Sequence, residues 1–285
     1  MITNHKRPAL IIFPVTKTYL LEGIILLKSL TKHMPNVPVH VISKDNEADH
    51  LLAEFDIVEK VINEPECDSE FRQIRTSRFR HAKDVAEEFT SVCLLDADML
   101  CVFNFEHIFR MVDTGTILTC SNNTLLRYRA KDFDLLEIPC DPDIDVVHTS
   151  FSTVPFFINP TIHADFLNQI WTSKSGNDLE AINLLAITNG LMDRVFLLNS
   201  YCHTNIHHSC LKSETHIKKV DDGYCSQQGD RVYMFHGHWL DKNYVKELME
   251  PMIKHYSYYP KHIECAQNCI NVMEQEYKQY TESTK

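Results

Sequence analysis

The chain has 285 residues, of which 44% are hydrophobic and 24% charged, as is ordinary for a globular protein. A net charge of -11, from 28 basic and 39 acidic residues, disfavours general nucleic-acid binding, because phosphates are neutralised by clustered lysines and arginines. No apolar run approaches the roughly 18 residues of a membrane-spanning helix, so the sequence predicts no transmembrane segment.

The cysteines and the N-terminal residues bear on the cellular compartment. Ten cysteines are scattered along the chain without any C-x-x-C pair, which favours reduced, buried thiols over a disulfide framework. Residues 1–8 are polar and basic, and the apolar stretch after them, residues 9–13, is too short for a convincing signal peptide. We therefore expect a cytoplasmic protein.

Strands and helices alternate in the first hundred residues. Apolar runs predict strands at residues 9–15, 37–42, 57–62 and 92–95, and helical spacing predicts helices at 19–30, 46–55 and 70–89. Such alternation predicts an α/β fold with a mainly parallel sheet in a three-layer α/β/α sandwich.

The second half of the chain is less regular. Residues 121–150 are polar and contain an acidic cluster, which indicates a long functional loop or a small insertion. Further strands are predicted at 154–158, 194–199 and 231–235, and further helices at 161–171, 178–188 and 262–280. Without repeats or a clear linker, the sequence favours a single domain over residues 1–285.

Two carboxylates directly follow the strand at 92–95. Asp96 and Asp98 are two residues apart, so in an extended continuation they lie on the same face. Ligands of open α/β sheets bind beyond the carboxyl ends of the strands, and oxygen ligands at this spacing suit Mn²⁺ or Mg²⁺. A solvated turn or a helix cap is the structural alternative.

A second candidate ligand follows the short strand at 231–235. His236 and His238 flank Gly237, and neutral imidazole is a common ligand for metals such as Mn²⁺. The glycine permits close approach of the backbone to a phosphate. The sequence leaves open which of the two histidines is the ligand, and a pair of surface histidines is the structural alternative.

The order of these segments resembles the GT-A glycosyltransferases of the glycogenin and bacterial lipopolysaccharide galactosyltransferase type, family 8. The resemblance covers about residues 9–245. It is carried by the metal motif in residues 94–100, the continuation at 105–109, the strand at 151–160, the helix start at 178–183 and the late histidine motif at 236–237.

The resemblance implies a GT-A, Rossmann-like fold and a role for each matching residue. Asp96, Asp98 and His236 would hold Mn²⁺ or Mg²⁺ against the diphosphate of a nucleotide-sugar donor. The remaining roles fall on other matching positions. Donor contacts would come from Thr16, Arg80, Ala97 and Gly237, and Asp178 and Glu180 would be the catalytic carboxylates that bind sugar hydroxyls. The lysine usual in the late motif is absent, and the sequence leaves open whether Lys242 takes its place as a donor contact.

Several of these residues also have plainer interpretations. Thr16 is equally suited to cap the helix that follows it. The arginines between residues 72 and 80 are compatible with a solvated helix face from which Arg80 alone reaches inward. Val154 and Leu179 depart from the glycine and glutamine usual in the family, and the late histidine motif is compressed.

These features together predict a metal-dependent glycosyltransferase that moves a hexose from a nucleotide sugar. The resemblance implies a donor of the UDP-sugar class and retention of configuration. The acceptor stays open between a glycan, a lipid-linked sugar and a protein hydroxyl. The alternatives are an inactive GT-A-fold binding protein and a nucleotidyltransferase, although the chain has only 7 glycines and none before Gly23 to form a phosphate loop.

Overall fold

A computed structural model describes residues 6–44, 49–64, 71–125, 149–173, 178–198, 204–205, 218–225, 229, 231–236, 275–276 and 278–281. The chain divides into two compact units. Unit 1 comprises Met1–Lys17, Asn36–Asp96 and Phe105–Leu198, and unit 2 comprises Thr18–Pro35, Ala97–Asn104 and Asn199–Lys285. The single domain over residues 1–285 stays a prediction.

Unit 1 is built on a sheet to which the described residues contribute seven strands. These are β1 (Leu10–Val15), β2 (Val39–Ser43), β3 (Val58–Asn63), β4 (Val92–Leu94), β6 (Ile117–Leu125), β7 (Thr149–Ile158) and β8 (Val195–Leu198), whereas β5 (Met99–Cys101) belongs to unit 2. Their order across the sheet is β3-β2-β1-β4-β7-β6-β8. Only β7 among them runs opposite to its neighbours, so the mainly parallel α/β sheet expected from the sequence is confirmed.

The central strands are apolar throughout because both of their faces are covered. Leu10, Ile11, Ile12 and Phe13 are fully buried in β1, as is every residue of β4. A strand buried on both faces has no polar side to present, which is why β1 and β4 lack the alternation of a half-exposed strand.

The pair β6–β7 differs from the sequence-based expectation. Residues 121–150 were expected to form a loop, but β6 continues to Leu125 and β7 begins at Thr149, with these two residues paired. Residues 126–148 lie outside the described part of the chain. The segment Ser121–Thr124 favours turns by composition, and pairing with β7 overrides that local preference.

Six helices are described along the chain: α1 (Leu20–His33), α2 (Asp49–Ala53), α3 (Phe71–Asp84), α4 (Glu106–Phe109), α5 (Ala164–Thr172) and α6 (Asp178–Thr188). Side chains of α3, α5 and α6 share one hydrophobic core with the sheet of unit 1. Phe79 of α3, Phe166 of α5 and Ile182 of α6 meet Leu10 and Ile12 of β1 in this core. The packing fixes the starts of α3 and α6 relative to the carboxyl ends of β1 and β4.

Unit 2 contains α1 and short strands that the sequence analysis largely missed. Strand β5 (Met99–Cys101) pairs with β12 (Met234–His236), which also pairs with β9 (Thr204–Asn205), while β10 (Lys218–Val220) and β11 (Gly223–Cys225) form a hairpin. The backbone N–H of Cys101 donates to Ser29 Oγ of α1 at 3.1 Å. Of the helix expected at 262–280, residues 275–276 and 278–280 are described and helical.

Two further expectations concern cysteines and membranes. Cys93, Cys101, Cys120 and Cys225, the cysteines with described surroundings, are free thiols. In the parts of the chain that the structure describes, no helix combines the length and apolar character needed to cross a membrane.

A buried histidine pair joins β2 to α3. Nδ1 of His40 lies 2.9 Å from Nε2 of His81, and the two residues are 2% and 7% exposed. Burial lowers the pKa of both imidazoles. The neighbouring His40, Lys60 and Arg80 lower the pKa of His81 further, to about 3. Both rings are therefore neutral in the folded protein near neutral pH.

This pair predicts a loss of stability in mild acid. Below pH 6.5 the unfolded chain gains protons on these histidines while the folded chain does not, so the free energy of unfolding should fall by about 1.4 kcal/mol per pH unit for each histidine that stays neutral. Urea unfolding between pH 6.5 and 4.5 measures this slope. The variant His81→Gln should have a shallower slope, whereas His107→Gln, at an exposed position of α4, should keep the wild-type slope; equal slopes for the three proteins would contradict the assignment.

Candidate functional site

The carboxyl ends of β1 and β4 define the candidate site in unit 1. The chain places β2 and β3 on one side of β1 and then crosses to β4 on the other side, so the strand order reverses between β1 and β4. Open α/β sheets bind ligands beyond the strands at such a point. Thr16 directly follows β1, and Asp96 follows β4 after one intervening residue, Leu95. Both predicted residues therefore lie at this edge of the sheet.

One guanidinium joins two of the predicted acidic residues. Arg78, on α3, donates through Nη1 to the carboxylate of Asp96 and through Nη2 to Oδ2 of Asp178 at 2.7 Å. Nη1 also lies within 3.2 Å of the carbonyl oxygen of Leu95. The structure thus brings Asp96 and Asp178 together, although they are far apart in the sequence.

The three charges differ in exposure. The side chains of Arg78 and Asp178 are 1% and 4% exposed, whereas that of Asp96 is 33% exposed. Burial alone would lower the pKa of Arg78, but the two carboxylates outweigh burial and raise it above the usual arginine value. The guanidinium therefore stays charged, and Asp96 is the member of the cluster that reaches the surface.

The arginine of α3 that faces inward is Arg78 and not Arg80. Arg80 was expected to be the one that reaches inward, but its side chain is 40% exposed, pairs with Glu64 and lies over the ring of Trp171 at 4.7 Å. Arg78 is the buried one. It pairs with Asp178, whose position relative to α3 no local pattern reveals.

Unit 2 contributes a carboxylate and an imidazole that are in contact. Nε2 of His236 lies 3.2 Å from Oδ1 of Asp98, and their side chains are 14% and 9% exposed. The pairing of β5 with β12 sets this contact, because His236 is the register partner of Met99, the residue after Asp98. The two predicted ligands, separated by nearly half of the sequence, are therefore neighbours.

The motif that contains Asp96 and Asp98 spans the point at which the chain passes from unit 1 to unit 2. Ala97, which is buried, is the single residue between them. Asp96, Asp98 and His236 each offer one ligand atom of a kind that could hold a metal ion. Mn²⁺ binds a set of carboxylate oxygens and an imidazole nitrogen. Hard cations such as Mg²⁺ prefer the carboxylate oxygens of this set.

The remaining predicted residues have mixed placements. Thr16 is half-buried and does not cap α1, whose N-cap position is occupied by Tyr19. Glu180 is half-buried in the first turn of α6. Gly237, His238 and Lys242 lie outside the described residues.

Asn183 fixes the helix that carries Asp178 and Glu180. Its side chain is fully buried, accepts a hydrogen bond from the N–H of Phe151 at 2.8 Å and donates to the carbonyl oxygens of Phe151 at 2.9 Å and Leu179 at 2.7 Å. An amide is the side chain that can satisfy a backbone donor and a backbone acceptor of β7 at once. Only the position of Asn183 in the family-like segment 178–183 hints at this role in the sequence.

Comparison with known proteins bears on the fold. No protein-family model matches the chain, and no curated protein matches it. A crystal structure of the galactosyltransferase LgtC in complex with donor and acceptor sugar analogues is 14% identical, covering 85% of this chain and 95% of that chain with a TM-score of 0.50. An active-site mutant of LgtC has the same identity and coverage with a TM-score of 0.51.

At this identity the likeness shows the fold alone. The chain has the GT-A, Rossmann-like α/β fold that the sequence predicted. Membership of family 8 in particular stays a prediction.

Replacing Asn183 with leucine should lower the free energy of unfolding by about 3 kcal/mol, because it leaves the buried N–H and carbonyl groups of Phe151 without these partners. Urea denaturation measures the change. Thr188→Ala, at an exposed position of the same helix, is the matched control and should change stability by no more than about 0.5 kcal/mol. Similar stabilities for the two variants would show that the amide does not anchor α6.

Proposed function

We propose that this protein is a metal-dependent glycosyltransferase that moves a hexose from a nucleotide sugar, of the UDP-sugar class, to an acceptor hydroxyl. The observation that carries the proposal is the contact between Asp98 and His236. Asp98 lies two residues after Asp96, the other predicted carboxylate ligand. A carboxylate and an imidazole held together at the end of paired strands are suitable ligands for a divalent cation. The GT-A fold supports the same conclusion.

The reaction exchanges one bond to the anomeric carbon for another. The bond from this carbon to the diphosphate oxygen breaks, a bond to the acceptor oxygen forms, and the acceptor hydroxyl loses its proton. Negative charge develops on the departing diphosphate, and a divalent cation held by Asp96, Asp98 and His236 would neutralise it. The resemblance to family 8 implies that configuration at the anomeric carbon is retained.

The chain's own residues supply the other contacts. Asp178 and Glu180 would accept hydrogen bonds from sugar hydroxyls, since ionised carboxylates are acceptors only. Thr16, after β1, and Arg80, on α3, would contact the donor, and Ala97 and Gly237 would let backbone approach the diphosphate. Lys242 would add positive charge near the leaving group. The acceptor would be a glycan, a lipid-linked sugar or a protein hydroxyl.

The proposal is tested by hydrolysis of nucleotide sugars in the presence of Mn²⁺. Wild-type protein should slowly release the nucleotide diphosphate from at least one donor, and Asp98→Ala should lower the rate by about 100-fold, because a lost metal ligand weakens the stabilisation of the leaving group. A coupled assay for the released diphosphate measures both rates. Asp222→Ala, which removes an exposed carboxylate of unit 2, should keep the wild-type rate.

The same assay separates the alternatives. Stabilisation by UDP and Mn²⁺ in a thermal unfolding experiment without any release would indicate an inactive GT-A-fold binding protein. Release of pyrophosphate from a nucleoside triphosphate in the presence of a sugar phosphate would indicate a nucleotidyltransferase. If no nucleotide diphosphate shifts the melting temperature and no donor is cleaved, the protein is not a glycosyltransferase.

A further inference from the structure

We propose that Arg78 is a positioning residue for this reaction: its guanidinium holds the carboxylates of Asp96 and Asp178 in a fixed relation, so that a metal ligand and a sugar-binding carboxylate act as one unit. This inference rests on the proposed function. It adds a residue that the sequence analysis did not assign to the site.

The geometry of the cluster carries the inference. The two terminal nitrogens of one planar guanidinium are each used by a different carboxylate, and the carbonyl oxygen of Leu95 binds Nη1 as well. Because the guanidinium is rigid and its donors point in fixed directions, the orientation of one carboxylate determines that of the other. A lysine ammonium, a single point charge on a flexible stem, cannot impose this relation.

Stability alone does not account for the cluster. One cation and two carboxylates leave a net negative charge, and a buried ion cluster is often no more stabilising than apolar side chains of similar volume. Nε of Arg78 is also buried and has no hydrogen-bond partner among the described residues. A residue selected only to fill the space between α3 and α6 would avoid both costs.

Each carboxylate keeps the capacity that its proposed role requires. Asp96 is partly exposed while it is bound to Arg78, so its second oxygen can serve a metal ion, and hydrogen bonding of a ligating carboxylate orients it for the metal. Asp178 accepts from Arg78 through Oδ2 and from the N–H of Leu179 through Oδ1 at 3.0 Å. Its orientation is thereby fixed, and the remaining lone pairs can accept sugar hydroxyls.

Titration of the protein with Mn²⁺, followed through the electron paramagnetic resonance signal of the free ion, tests the proposal without relying on turnover. Arg78→Lys keeps the charge but loses the fork, and it should bind Mn²⁺ about tenfold more weakly than wild type. The kcat of Arg78→Lys for hydrolysis of the nucleotide sugar should stay below that of wild type even at saturating Mn²⁺, because Asp178 is no longer held in position.

The matched control is Arg7→Lys. Arg7 also bridges two carboxylates, those of Glu59 and Glu88, but it precedes β1 and so lies at the amino end of the strand. This variant should bind Mn²⁺ as wild type does and keep the same kcat. Thermal unfolding shows for each variant that binding is measured on folded protein.

A second variant approaches the cluster from the other side. Asp178→Asn preserves shape but leaves the guanidinium charge opposite Asp96 alone, so it should weaken Mn²⁺ binding several-fold although Asp178 is not a proposed ligand. A role limited to stability would lower the melting temperature of either variant without changing the Mn²⁺ affinity of the folded protein.

The outcomes separate the two proposals. If wild-type protein binds Mn²⁺ while Arg78→Lys, or Asp178→Asn should Arg78→Lys not fold, binds it equally well, the positioning role is wrong and the proposed function stands. If wild-type protein binds no Mn²⁺ either alone or with UDP, the metal-dependent function is wrong and the positioning role is lost with it.

Discussion

The charge of Arg78 is the constraint around which unit 1 is arranged. A guanidinium that is 1% exposed is tolerable only where carboxylates meet it, and here they come from the end of β4 and from the first residue of α6. Helix α3 must then lie where its buried arginine reaches both. The hydrophobic core shared by α3, α5 and α6 fixes the same arrangement, so packing and electrostatics specify one position for Asp96 and Asp178.

The sheet was the part of the fold most accessible from the sequence. Continuous apolar runs at β1 and β4 identify strands covered on both faces, and alternation with helical segments identifies parallel neighbours. No strand was predicted over β6, and in its second half Ser121, Asn122 and Asn123 have no local preference for a strand. The three-residue strand β5 is too short to leave a periodic signal, whereas β12 overlaps the end of the strand predicted at 231–235.

Site residues could be predicted from the sequence only where several potential ligands stand close together in it. Asp96 and Asp98 are conspicuous after an apolar strand, and His236 drew attention as a nitrogen ligand in a family-like motif. Arg78 and Arg80 could not be separated in this way. They are two residues apart on one helix and so point to different sides. The buried one, Arg78, pairs with Asp178, a hundred residues further on, which no local pattern indicates.

The reversed direction of β7 has a consequence for the surroundings of Asp96. Phe156 of β7 is the register partner of Leu94, so the seven residues from Thr149 to Pro155 continue past the carboxyl end of β4 for about 23 Å of extended chain. The pair Leu125–Thr149, at the described ends of β6 and β7, therefore lies beyond the same strand ends that Asp96 follows.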